Sequence, residues 1–132
     1  MDTPIETHGT VPSLRGLTCG GLFSQGAILG NVLIQDHILF IKASDVWHRL
    51  VIDNGVVFWR QQTVEPASWS IPEEGFHYPV RDVGSARGLL GLQFELLTQT
   101  RERSTTSVAF RFTNGRCIRF SECDDKTTLQ IV

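Results

Sequence analysis

Histidine, cysteine and adjacent carboxylates are the side chains of this sequence best able to do chemistry, and their spacing serves none of the usual tasks. His8, His37, His48 and His77 include no H-x-H or H-x-x-x-H pair, so a metal site would have to draw its ligands from distant segments. Cys117 and Cys123 are too far apart for a zinc-knuckle pair, and three thiols without framework spacing read as free cysteines of a reducing compartment. Covalent catalysis needs an activated nucleophile beside an oriented base. The chain has no G-x-S-x-G, and Thr18-Cys19-Gly20-Gly21 has no base near it and reads as a turn. Glu73-Glu74 and Asp124-Asp125 are neighbours that point to different sides of an extended chain, so neither forms an acid/base couple. Gly26 to Gly30 leads into strand-like residues and not a helix, which excludes a phosphate or dinucleotide fingerprint. The expectation is a non-enzymatic protein with no catalytic residue, no metal and no cofactor.

Recognition remains. Trp, Tyr and Arg are the side chains most enriched where partners bind. A composite surface collects them: Trp47, Arg49, Trp59 and Gln61, and then Trp69, Glu73, Glu74, Phe76, His77, Tyr78, Arg81 and Asp82. If the chain's own loop covers Trp47 and Trp59, those two close a second small core instead. Ten of the twelve basic residues are arginines. Arg49, Arg60 or Arg111 could meet an acidic metabolite, which makes a small-anion-binding barrel the alternative reading. Five arginines lie between residues 101 and 119 against Glu102 alone, but Glu122, Asp124 and Asp125 follow closely and can pair with them. A nucleic-acid binder would show a wider basic stripe with interleaved aromatics, so nucleic acid is not expected as a partner.

The elements that must position these residues are strands. Two Asn-Gly dipeptides sit between alternating apolar runs, at Asn54-Gly55 and Asn114-Gly115, and such pairs are the strongest local hairpin signal. A three-residue loop Thr113-Asn114-Gly115 pairs Phe110 with Ile118 and Val108 with Phe120, so every large apolar group shares one face. The same loop at Asp53-Asn54-Gly55 pairs Leu50 with Phe58 and Ile52 with Val56. It leaves Trp47, Arg49, Val51, Val57, Trp59 and Gln61 on the other face, with Arg49 opposite Trp59 in a cation–π contact. Long strand, connector and Asn-Gly hairpin thus occur twice, as in a duplication or in two antiparallel meanders. Residues 64–86 break every periodicity, with three prolines and three aromatics, and read as a long irregular loop. The fold class is all-β: an antiparallel sandwich or partly open barrel of about eight to ten strands in one domain over 1–132, with one short helix near 82–90.

The chain has 132 residues, 41% hydrophobic and 20% charged, with a formal net charge of −2, an ordinary globular balance with no global pull toward nucleic acid or anionic lipid. No apolar run approaches the roughly 20 residues of a membrane helix, and Asp2 and Glu6 stand where a signal peptide would be basic and then apolar. A cytoplasmic protein without a membrane partner is expected. Length, start, the two hairpins and the β-rich body together resemble the small cytosolic immunity proteins of bacterial polymorphic and contact-dependent toxin systems. The resemblance covers most of the chain, carries no residue motif of its own, and implies tight binding to one cognate toxin domain.

Overall fold

Positive φ turns this chain back on itself in both halves. Asn54 and Gly55 have φ of 49° and 79°, and Gly115 has φ of 89°. The structure, a computed structural model, describes residues 4–132, and the side chains of all of these except 33–35 and 71. In chain order it contains β1 (Thr7–His8), β2 (Cys19–Leu29), β3 (Val32–Ala43), β4 (Val46–Asp53) and β5 (Val56–Gln62). Then come β6 (Trp69–Ile71), a 3-10 turn (Pro72–Glu74), β7 (Phe76–Tyr78), β8 (Val80–Asp82) and the helix α1 (Val83–Ala86). The second half holds β9 (Phe94–Glu102), β10 (Thr105–Phe112), β11 (Cys117–Cys123) and β12 (Lys126–Ile131).

Two sheets face each other in a sandwich. The larger runs β1-β5-β4-β3-β2-β7-β6, with β8 also on β2, and the smaller runs β12-β11-β10-β9. Neither sheet closes into a barrel. Pairing is antiparallel except that β1 runs parallel to β5. Each half therefore contributes one four-strand meander. Asn54-Gly55 joins the last two strands of the first meander, whereas Asn114-Gly115 joins the middle two of the second. The two Asn-Gly turns therefore fall at different places in the two meanders.

The inner faces meet in one core. Leu22, Leu39, Ile41, Leu50, Ile52, Val57 and Trp59 come from the large sheet, and Phe94, Val108, Phe110, Phe112, Ile118 and Phe120 from the small one. The β10–β11 register is the expected one, with Phe110 opposite Ile118 and Val108 opposite Phe120.

The first hairpin corrects its expectation. Leu50 pairs with Trp59, Val51 with Phe58 and Ile52 with Val57, so the loop is the two residues Asn54-Gly55. Two consecutive positive φ values make a turn whose twist matches that of the flanking strands, and this outweighs the alternative of seating Phe58 inside. Trp59 consequently faces the core at 5% exposure, and Arg49 lies opposite Arg60, not Trp59. The expected Arg49–Trp59 cation–π contact does not form.

Trp47 is also only 5% exposed, although it sits on the outer face of the large sheet. Its ring packs on Phe23 at 5.1 Å, over Gly21, where an added Cβ would come within 2.8 Å of the indole. Lys42 Nζ lies 5.8 Å from the ring centre. The segment 64–86 is not an irregular loop. It folds into three short strands and α1, and this raises the strand count to twelve among the described residues. Asp82 caps α1, its carboxylate accepting from the Ser85 amide at 2.9 Å. Among the described residues no helix is long and apolar enough to cross a membrane.

His48 lies on β4 opposite Gln61, and burial pushes its imidazole below the usual value of 6.5. As pH falls below about 6.5 the unfolded chain takes up a proton that the folded chain refuses, so stability is lost as pH drops toward the folded-state value. Urea unfolding of the His48→Gln variant from about pH 7 to about pH 5 is expected to show a shallower fall in stability than the parent. Parallel curves would mean that the imidazole is not desolvated.

Candidate functional site: a cleft between the sheets

The site is built where two turns and a short two-stranded ribbon converge. The β4–β5 turn brings Asp53 and Asn54, the β11–β12 turn brings Asp125, and the β6–β7 ribbon brings Trp69 and Tyr78. With His37, Ile38, Val51 and Glu122 they line an open cleft of about 700 Å³, within the size range of small-ligand pockets.

Two tethers fix this geometry. Gln25, buried on β2, donates through Nε2 to the carbonyls of Ala67 at 3.2 Å and Tyr78 at 3.0 Å, and so holds both arms of the ribbon. Ser68 Oγ accepts from the Val80 amide at 2.8 Å and closes the ribbon's far end. Across β6–β7 the partners Trp69 and Tyr78 stack at 3.9 Å and 11°, with Phe76 behind Tyr78 at 6.2 Å. Trp69 remains 53% exposed, the largest exposed aromatic surface at the rim.

The second tether joins the sheets. Glu122, only 3% exposed, accepts from the Gly55 amide through Oε1 at 2.6 Å, linking β11 to the β4–β5 turn. Thr106 Oγ1 donates to the Gly55 carbonyl at 3.4 Å and accepts from Arg101 Nη1 at 2.7 Å. Asp124 and Asp125 form a two-residue turn with φ of 51° and 65°, a conformation that short polar side chains tolerate.

The cleft wall thus carries three carboxylates (Asp53, Glu122 and Asp125), one imidazole and a stacked indole–phenol pair. Aromatic faces and carboxylates both attract cations, so the arrangement suits an ammonium or guanidinium group. Among the described residues no three His, Cys, Asp or Glu side chains cluster as a metal site. Cys19 is buried, and burial pushes its thiol above the ordinary value, away from nucleophilic reactivity.

The residues anticipated from sequence are divided by the structure. Trp69 and Tyr78 meet in the cleft, with Phe76 adjoining. Trp47 and Trp59 are buried and leave the surface. Arg81 pairs with Asp36, which also accepts from Ser24 Oγ at 2.6 Å, so it pins β8 to the sheet. Asp82 is occupied as a cap. Glu73 and Glu74 project from the exposed 3-10 turn, His77 is exposed on β7, Gln61 is exposed on β5, and Arg49 is half-buried on the outer face. Sequence reading missed His37, Asp53, Glu122 and Asp125. The only local signal was that Asn54, Asp124 and Asp125 are short polar residues able to take the positive φ of a tight turn, with Asp53 directly before the first of them.

No family model, curated protein or solved structure matches this chain.

Proposed function

We propose that this chain is a non-enzymatic protein-binding module whose cleft receives a basic side chain of its partner. The observation carrying this reading is the Trp69–Tyr78 stack placed in one cleft with Asp53, Glu122 and Asp125. A lysine or arginine there would gain cation–π and charge-assisted contacts together, and an indole stacked on a phenol is pre-ordered and loses little entropy on binding. In its finer form the partner is one toxin domain in the cytoplasm, and the chain is its immunity protein. A basic residue that the toxin uses on its own substrate would then be sequestered in the cleft.

Affinity capture from native lysate with wild-type, Trp69→Ala, Tyr78→Ala and Asp125→Asn baits tests the reading. The wild type is expected to retain one stoichiometric protein. Each variant should weaken the purified complex by about tenfold or more while leaving urea unfolding nearly unchanged. A complex that survives all three substitutions would place the interface elsewhere.

A further inference from the structure

The outer face of the large sheet carries a second, oppositely charged feature. Arg49 and Arg60 are direct cross-strand partners on β4 and β5, so their side chains leave the sheet about 5 Å apart on the same face. Like charges placed directly opposite destabilise a sheet. Among the described residues neither guanidinium has a carboxylate within ion-pair distance or donates a hydrogen bond. Arg111, the other arginine considered for an anion, is by contrast paired with Glu95 at 3.2 Å. Along the row through Arg60 and Arg49 the next positions are Phe40 and Phe23, and the first acid, Asp82, lies three strands beyond Arg49 and caps α1.

The groove beside this pair has a volume of about 340 Å³ and is walled by Phe58 and His8. Their rings stack at 5.1 Å and 16°, and Glu6 lies 3.6 Å from His8 Nε2. The parallel pairing of β1 on β5 brings His8 there, and Gly9 ends that pairing at φ 84°, where an added Cβ would sit 2.0 Å from the Trp59 carbonyl oxygen. Only glycine allows the chain to pass so close.

We propose that Arg49 and Arg60 form a clamp for one oxyanion, a phosphate or a carboxylate, seated against the Phe58–His8 stack. Two forked guanidinium groups about 5 Å apart at their origins can grip one such group from two sides. The anion relieves the repulsion that the unliganded sheet carries. This clamp is independent of the acidic cleft.

Isothermal titration of the full chain with phenyl phosphate and with benzoate tests it, since the two probes share a ring and differ in headgroup. At least one is expected to bind at millimolar concentration, and the tighter one identifies the headgroup. Arg49→Gln and Arg60→Gln should each weaken binding about tenfold or more, whereas Arg111→Gln and Asp125→Asn should leave it unchanged. Both arginine variants should keep or raise the melting temperature, because each removes one of two facing like charges. Absence of binding by both probes overturns the clamp. Unaltered affinity in the Arg49 and Arg60 variants, or equal loss in Arg111→Gln, does the same.

Discussion

Replacing Trp59 with alanine is expected to cost about 3–5 kcal/mol of folding stability, the range for deleting a large buried aromatic. The indole is 5% exposed, meets Phe110 edge-on at 6.3 Å, and donates from Nε1 to Gln99 Oε1 at 2.8 Å. Gln99 Nε2 in turn donates to Thr7 Oγ1 at 3.1 Å. One ring therefore fills the space between the sheets and orients the amide that holds β1 to β9. Alanine would leave a cavity and a Gln99 oxygen without its donor. Trp59→Phe keeps an aromatic ring in place but loses part of the indole's volume and the donor to Gln99, so an intermediate cost of about 1–3 kcal/mol is expected. Trp69→Ala, on the exposed rim, should stay within about 0.5 kcal/mol of the parent. Urea unfolding of the three variants with a common slope separates these cases. A mild Trp59→Ala beside a severe Trp69→Ala would reverse the assignment of core and surface. Domains are stable by only about 5–15 kcal/mol, so Trp59→Ala also bounds how far the chain can lose its inter-sheet packing and still fold.

Trp59 also marks where local pattern stops being informative. In β10–β11, Arg111 and Arg119 alternate with phenylalanine and isoleucine, so only one register buries the apolar set, and that register is observed. In β5 the run Val56-Val57-Phe58-Trp59 is apolar on both faces. Either register then yields an apolar face, and turn geometry decides: Asn54-Gly55 alone forms the loop. One residue of slip sent Trp59 inside and Phe58 outside. The segment 64–86 was illegible for a different reason. Its order comes from Gln25, some forty residues or more away in sequence, whose amide bonds Ala67 and Tyr78. The aromatic half of the cleft was visible as a cluster of Trp69, Phe76 and Tyr78. The acidic half was not, because Asp53, Glu122 and Asp125 meet only once the two sheets stack.

Glu122→Ala is expected to cost about 2–3 kcal/mol, at the upper end for a hydrogen bond to a charged group. The carboxylate is buried and its 2.6 Å bond to the Gly55 amide joins strands of different sheets. Removing it leaves that amide buried and without its acceptor. Glu122→Gln keeps an acceptor at the same place and should cost about 1 kcal/mol or less. Amide hydrogen exchange gives the local readout. Gly55 should exchange about tenfold faster or more in Glu122→Ala, and its exchange should be largely restored in Glu122→Gln. Unchanged protection at Gly55 would show that the turn is held by Thr106 and the ladder alone. The consequence reaches the cleft, because the same turn carries Asp53 while the strand bearing Glu122 leads into Asp125. A loosened tether lets these two carboxylates drift apart. Glu122→Ala should therefore weaken capture of a basic side chain by more than the loss of one charge, and Glu122→Gln by the charge alone.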